Sequence, residues 1–340
     1  MLRIIRANFL IFFTYLRVSL FFRRAKKNHT LKLQDLLKKQ NVSRVIPEET
    51  SKRMLAYSLF CRFVLELSAL YHSTKETKNE EESAFLLGIM TPLADDLNDD
   101  FGLNFEEIER LEGHKDENQI LHLLHELNKA FKLDNKQNFQ KYYEKLKIAQ
   151  NDSLKQKSGN NLEFYELMDI TERKGAYSFL LYRSIFNSQI SENETEILKQ
   201  VGFLFQLVND LFDVYKDAQS NTQSTVLNCS SLESFEGRFN AEILQLLLLI
   251  YMETEISLRT KEKYVATIST ILARGYVCLN QLINLQSNTS IPFEAHKFTR
   301  EQLICDMEKP RNIWLSYRMS VRLFQKFQHL KFMASFMQPS

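Results

Sequence analysis

The sequence predicts an all-α protein. Glycine and proline, with 8 and 5 residues, make up under 4% of the 340-residue chain, against a usual share of about 12%. The chain therefore has few of the tight turns that sandwiches, barrels and glycine-rich nucleotide-binding folds require. Apolar residues make up 44% of the chain and include 26 phenylalanines, enough for a sizeable core. Apolar side chains recur at helical spacing, most clearly in residues 54–71, 118–131 and 241–258.

The N-terminal segment is basic and apolar. Residues 1–34 contain no Asp, Glu, Gly or Pro, and their longest apolar-leaning run covers only residues 7–16. A membrane span needs about 20 apolar residues, and no small-residue cleavage site of a signal peptide follows the run. On a helix, four arginines share one side beside Phe and Leu side chains: Arg3, Arg6, Arg17 and Arg24.

Two interpretations of this segment stay open. Residues 1–27 either make a peripheral membrane contact, for which an arginine stripe beside apolar side chains is typical, or pack over the domain with their arginines in water. We expect residues 1–30 to form a basic amphipathic segment and residues 31–340 to form one domain of about ten helices. The polar breaks along this second part are too short to be linkers.

Overall charge and cysteine content exclude several classes of protein. The 44 basic and 42 acidic residues nearly cancel, and no nucleic-acid-binding motif is present, so we expect no nucleic-acid partner. The four cysteines are far apart and form no C-x-x-C pair. They indicate neither a zinc site nor a disulfide framework, which suits a cytoplasmic location.

A first acidic cluster follows the apolar run of residues 84–90. It consists of Asp95, Asp96, Asp99 and Asp100, which form two i,i+4 pairs on a helix. Four carboxylates within six residues repel one another, so a cation or full hydration must compensate them. Mg²⁺ is a cation that takes a few carboxylate oxygens and completes its shell with water and phosphate oxygens. Pro92 is expected to loosen the helix just upstream.

A second acidic cluster lies within an apolar segment. Asn209, Asp213 and Asp217 are spaced four apart and share a stripe on a helix, with Asp210 beside them. The residues between them are Leu, Phe, Val and Tyr, so the stripe is expected to face the protein interior, where carboxylates without a partner are heavily penalised. Arg173 and Lys174 precede Gly175 in another helical segment and offer donors suited to phosphate oxygens.

The two clusters together resemble those of the class I isoprenoid synthases. Asp95–Asp100 reads D-D-x-x-D-D, and 114 residues after Asp95 comes N-D-x-x-D-x-x-x-D. Residues 202–213 are similar to the G-x-x-F-Q-x-x-D-D-x-x-D segment of trans-prenyl diphosphate synthases, and Lys174 to their Lys-Thr step. The second cluster also resembles the terpene cyclase signature N-D-x-x-S-x-x-K-E. Asn209, Asp210 and Lys216 match it, whereas Asp213 stands for Ser and Asp217 for Glu.

The resemblance implies a single-domain helical bundle of the isoprenoid synthase type around a central cavity, as a possible homodimer. The chain lacks the G-G-K-x-R and R-R-G stretches of chain-elongating enzymes. It therefore resembles most a Mg²⁺-dependent terpene synthase, a lyase that ionises one prenyl diphosphate. The implied ligands of three Mg²⁺ ions are Asp95, Asp96, Asp99, Asp100, Asn209, Asp210, Asp213 and Asp217. The implied catalytic residues are Arg173, Lys174 and Lys216, which also bind substrate together with Gln206, Arg311, Tyr317 and Arg318.

Four alternatives stay open. A prenyl transferase would share the second motif. A squalene or phytoene synthase-like condensing enzyme would use D-x-x-x-D pairs, and both Asp96/Asp100 and Asp213/Asp217 have that spacing. A calcium loop beginning at Asp96 would have Phe101 where glycine is required. A catalytically silent partner subunit would keep the fold without the reaction.

Overall fold

The computed structural model of the protein describes residues 2–40, 42, 46–101, 119–133, 136–157, 161–286 and 293–337, and for Asp99 and Asp100 the helical backbone alone. The position of Glu107, which would end the calcium loop, lies outside these ranges. Over them the protein is 82% helix and without a β-strand, which confirms the predicted all-α class.

The described residues contain eleven α-helices, close to the ten or so expected. In chain order they are α1 Leu2–Lys39, α2 Glu48–Tyr71, α3 Lys78–Phe101, α4 Gln119–Ala130, α5 Lys136–Ser153, α6 Phe164–Arg183, α7 Glu192–Gln219, α8 Leu232–Met252, α9 Leu258–Gln286, α10 Arg300–Leu303 and α11 Pro310–Met337. Helix α1 continues without a break through residue 30, where the N-terminal segment was expected to end.

The helices form two compact units. Unit 1 comprises Met1–Leu16, Ile148–Leu180 and Ile190–Ser340, and unit 2 comprises Arg17–Lys147 and Leu181–Gln189.

In unit 2, helices α2 and α3 pack closely along their lengths. A Cβ atom on Gly88 would lie 2.3 Å from the Cα of Ser58, so the absence of a side chain lets the two backbones meet. Helix α3 begins with reciprocal capping: the Thr77 backbone N–H donates to Glu80, and the Glu80 N–H donates to the Thr77 hydroxyl. The helix continues through Pro92 to Phe101, because buried side chains on both sides of the proline hold it against its neighbours.

In unit 1, α9 packs against α7, α8 and α11, and α8 also packs against α7 and α11. Ser191 caps the N-terminus of α7, its side chain accepting from the Glu194 N–H, and a Ser231/Ser234 capping box precedes α8. Phe235 and Phe239 of α8 and Tyr276 of α9 are buried in this core. These contacts fix α7, which carries the second acidic cluster.

Two helical segments are long and apolar enough to cross a membrane by length and composition alone, namely Ile5–Lys39 and Glu48–Tyr71, each with a mean hydropathy of 1.4 over its best window. In the first segment 22% of that window is buried, and in the second 56%. The second is therefore largely a core helix, whereas the first is mostly uncovered. This is compatible with association with a membrane.

Candidate active site

The second acidic cluster is positioned by a close crossing of α6 and α7. Gly175 of α6 faces Gly202 of α7, and a Cβ on either would lie 2.3 Å from the carbonyl oxygen of the other. A Cβ on Gly175 would also lie 3.0 Å from the Cβ of Gln206. The crossing brings Lys174, next to Gly175, into electrostatic range of the carboxylates of Asp210 and Asp217. Lys174 therefore lies near the second acidic cluster, as expected from the sequence.

Asp210 is buried and hydrogen-bonded on several sides. It accepts from the Thr225 hydroxyl at 2.9 Å, from the Gln206 amide at 3.1 Å and from the Thr171 hydroxyl at 3.4 Å. Burial raises the pKa of Asp210 to about 6, although the bonds from Thr225 and Gln206 and the charge of Lys174 act to lower it. Asp210 therefore ties α6, α7 and the loop after α7 together. Thr171 and Thr225 were not singled out from the sequence, since single threonines carry no motif.

Asn209, Asp213 and Asp217 share a stripe along α7, but the expectation that it faces the interior is wrong: Asn209 is exposed, and Asp213 and Asp217 are half-buried, because the apolar residues between them turn the other side of α7 to the core. The Asn209 amide donates to Asp213 Oδ2 at 2.9 Å. Burial raises the pKa of Asp217 to about 7, and the nearby charges of Asp210 and Asp213 raise it further, against the opposing charges of Lys216 and Lys174. Ionisation of Asp217 near neutral pH is therefore unfavourable, because burial removes water from the carboxylate and the neighbouring carboxylates repel its charge. A bound cation would compensate it.

The donor set of the stripe fits Mg²⁺ in chemistry, because all its donors are the hard oxygens of an amide and two carboxylates. Among the side chains that the structure describes, however, no three His, Cys, Asp or Glu lie together in an arrangement able to hold a metal ion. The side chains of Asp99 and Asp100 are not among them. The metal assignment of all eight residues therefore stays a prediction.

The two cations of the basic segment have different surroundings. Arg173 bonds to Asp152 of α5 and to Asp169 of its own helix, each at 2.7 Å. For Lys174, no hydrogen bond or ion pair with another described residue is found. Of the pair, Lys174 is the one whose ammonium group is available to an anionic ligand. Lys216 is exposed on α7.

The first acidic cluster, in unit 2, is paired with an arginine that sequence reasoning missed. Arg53 of α2 forms an ion pair with Asp96, and its Nη2 lies 3.9 Å from Asp95 Oδ2. The Thr50 hydroxyl donates to Asp96 at 3.2 Å. Arg53 thus compensates part of the negative charge of Asp95 and Asp96, the two members of the cluster whose side chains are described. No motif or spacing links residues 53 and 96, so only the packing of α2 on α3 reveals the pair.

The three candidates near the C-terminus lie on α11 beside the start of α1. The Tyr317 hydroxyl donates to the Asn8 carbonyl at 3.3 Å, and its ring packs against Tyr15 and Trp314. Arg311 and Arg318 are exposed on the same helix. Their role in substrate binding stays a prediction.

Comparison with protein-family models, with curated proteins and with solved structures found no significant match.

Proposed function

We propose that the protein is a class I terpene synthase, which ionises a prenyl diphosphate in the presence of Mg²⁺ and releases a terpene and diphosphate. The observation that carries this proposal is the second acidic cluster. Its stripe of oxygen donors on α7 lies within range of the Lys174 ammonium, and the pKa of Asp217 is raised by burial and by neighbouring carboxylates. Such a site favours a cation, and through it a polyphosphate.

Mg²⁺ would be held by Asn209, Asp213 and Asp217 in unit 1, and the first acidic cluster in unit 2 offers further carboxylate ligands. When bound, Mg²⁺ neutralises the negative charge that develops on the diphosphate as it leaves. We assign Asp210 to holding this arrangement in place, since its oxygens already accept three hydrogen bonds.

The chain's own residues bind and orient the leaving group. Lys174 and Lys216 donate to diphosphate oxygens, and their charges are stronger partners in the transition state than in the ground state. Arg173 stabilises the Lys174 segment of α6 by bridging to Asp152. Gln206 donates to Asp210 and so fixes the start of the stripe. Arg53 holds the first cluster together before a cation arrives.

In the reaction, the bond between C1 of the prenyl chain and the diphosphate oxygen breaks, and its electron pair leaves with the diphosphate. The remaining allyl cation loses a proton to give the terpene. Apolar and aromatic side chains must exclude water from this cation. Phe205 of α7 is buried, with its ring edge-on to Phe179 of α6 at 5.1 Å, which places two aromatic rings in the core between α6 and α7.

A second candidate is a condensing enzyme of the squalene or phytoene synthase type. It is favoured by one observation: hydrogen bonds withdraw Asp210 from the stripe, which leaves Asp213 and Asp217 as a D-x-x-x-D pair. A prenyl transferase would instead use Asp210 and Asp213, whose segment reads N-D-x-x-D with Asn209 in place of the first Asp of D-D-x-x-D.

The test is incubation of the purified protein and Mg²⁺ with geranyl, farnesyl, geranylgeranyl and geranylfarnesyl diphosphate, each with and without isopentenyl diphosphate, followed by mass spectrometry. A terpene from one substrate alone supports the proposal. A doubled carbon skeleton supports the condensing enzyme, and a product only with isopentenyl diphosphate supports the transferase. No diphosphate release from any substrate would contradict all three.

A further inference from the structure

The outward face of the first four turns of α1 is apolar. The opposite face buries Ala7, Ile11 and Thr14. On the outward face Phe9, Phe12 and Phe13 have 60%, 53% and 59% of their surface exposed. A helix on the surface of a water-soluble domain normally places polar side chains there. A contiguous apolar surface of this kind marks an interaction site.

The first turns of α11 extend this surface within unit 1. The Tyr15 hydroxyl donates to the Ser316 hydroxyl at 2.7 Å, and the rings of Tyr15 and Tyr317 meet edge to face. Tyr317 stacks in turn on Trp314, which is 58% exposed. The two helices thus present one aromatic surface, formed by Phe9, Phe12, Phe13, Leu16, Ile313 and Trp314.

The charges around the aromatic surface are mainly positive. Residues 1–34 contain no acidic residue, and Arg6, Arg311 and Arg318 are exposed in this unit. Arg6 also bonds to Glu262 at 2.9 Å, and Asp306 and Glu308 precede α11. Exposed arginines beside aromatic side chains complement a negatively charged lipid surface. Tryptophan and tyrosine are favoured where acyl chains meet headgroups.

We propose that the aromatic surface docks onto a bilayer that contains anionic phospholipids. Helix α1 lies in the plane of the interface, Phe9, Phe12, Phe13 and Trp314 enter the acyl boundary, and Arg311 and Arg318 contact lipid phosphates. The helix does not cross the bilayer. Crossing would break its hydrogen bonds to α11 and place Asn8, Thr14 and Tyr15 in hydrocarbon without partners.

The chain contains a single tryptophan, so its fluorescence reports on Trp314 alone. Vesicles of equal parts phosphatidylcholine and phosphatidylglycerol are expected to shift its emission to shorter wavelength. Pure phosphatidylcholine is expected to do so less, and salt to weaken the effect. Inorganic diphosphate without vesicles is expected to leave the emission unchanged. A shift with diphosphate alone would assign Arg311 and Arg318 to a phosphate site and overturn the proposal.

Two matched double variants test the insertion. The Phe9→Gln, Phe13→Gln double variant should bind vesicles about tenfold or more weakly in co-sedimentation, because each substitution removes apolar area that enters the membrane. Leu244→Gln with Leu248→Gln changes two side chains of α8 that are 45% and 42% exposed, and should change binding less than about twofold. Unchanged circular dichroism of both variants establishes that they fold.

Three further results would overturn the proposal: no binding of the wild type to anionic vesicles, equal losses in both double variants, or dimerisation through the surface. In the last case the wild type would sediment as a dimer without lipid and the Phe9/Phe13 variant as a monomer. None of these measurements uses a prenyl diphosphate, so they stand or fall independently of the proposed reaction.

Discussion

Gly175 and Gly202 approach so closely that a methyl group on either would lie 2.3 Å from the carbonyl oxygen of the other. No real Cβ contact is that short, so a side chain at either position would push α6 and α7 apart. Lys174 and Gln206 are adjacent to this contact in the structure, and both act on Asp210. The shape of the candidate site therefore depends on two hydrogen atoms in place of side chains.

Gly202→Ala is expected to lower the free energy of unfolding by about 1–3 kcal/mol through overpacking. This loss outweighs the ~1 kcal/mol by which alanine exceeds glycine in helix propensity. Urea unfolding followed by circular dichroism measures the change. Gly237 on α8 is the matched control, since a Cβ there meets nothing within 4 Å. Gly237→Ala should stabilise by about 0.5–1 kcal/mol. Stabilisation by both substitutions would show that α6 and α7 do not depend on this contact.

Asp217→Asn is expected to stabilise the metal-free protein at pH 8 by about 1–3 kcal/mol, and to matter little near pH 4. The folded-state pKa of Asp217 is raised to about 7 from 3.8, and one pKa unit corresponds to about 1.4 kcal/mol. Its stabilising contribution is complete below pH 3.8 and is lost as the pH rises through 7, where the carboxylate must ionise. Thermal unfolding of both proteins at pH 4 and pH 8, with and without Mg²⁺, measures this difference in stability.

In the same experiment Mg²⁺ should raise the melting temperature of the wild type at pH 8 and not that of Asp217→Asn. Glu196→Gln is the control on the same helix, where Glu196 forms an exposed pair with Lys199. It should respond to Mg²⁺ as the wild type does. An equal response of all three proteins would exclude Asp217 as a ligand.

His29 of unit 2 is expected to make the protein less stable in acid. Burial lowers its pKa to about 4 from 6.5, and the charges of Lys32 and Arg62 lower it further. Its contribution to stability is complete above pH 6.5 and is lost as the pH falls through 4, because the folded state must then accept a buried charge. His29→Gln, which can keep the bond to Ser58, should lose less stability between pH 6.5 and 4.

The exposed His296 on its short 3₁₀ turn supplies the comparison. His296→Gln should leave the pH dependence of urea unfolding as it is in the wild type. If His29→Gln and wild type followed the same curve, another group would account for any sensitivity to acid.

Arg53→Met is expected to destabilise unit 2 by about 1–3 kcal/mol, since the buried Asp96 carboxylate would keep only the hydroxyl of Thr50. This is below the 3–5 kcal/mol typical of a fully buried pair, because the Arg53 side chain is 32% exposed. Adding Asp96→Asn should recover part of the loss in a double-mutant cycle. Lys52→Met, which breaks an exposed pair with Glu48, should cost under about 1 kcal/mol. If the effects of Arg53→Met and Asp96→Asn on stability simply added in the double variant, the two side chains would not interact.

The all-helical fold and the stripe of the second cluster were predictable because both depend on local pattern, whereas the nearness of Lys174 to the cluster was expected only from the resemblance to isoprenoid synthases. Low glycine content and helical periodicity are properties of short windows, and the four-residue spacing of Asn209, Asp213 and Asp217 fixes a stripe on any helix. The pairing of Arg53 with Asp96, and of Thr225 with Asp210, depends on how distant helices and loops pack. No local pattern encodes such contacts.

The surroundings of the N-terminal helix likewise could not be predicted from local pattern. Its arginines and phenylalanines were visible in the sequence, and two interpretations stayed open. Only the structure shows which face α11 covers, because the contacts of Tyr15 with Ser316 and of Tyr317 with Asn8 join positions some 300 residues apart. Phe9, Phe12 and Phe13 are exposed as a consequence.

The most direct measurement of the proposed reaction is Mg²⁺-dependent release of diphosphate from the allylic substrate on which the wild type is most active. Asp96→Ala, Asp213→Ala and the double variant are compared with Glu196→Gln, after circular dichroism has established that each is folded. We predict that each single alanine variant abolishes release, that the double variant loses nothing more, and that Glu196→Gln is fully active. Release at the wild-type rate by either Asp96→Ala or Asp213→Ala would contradict the account.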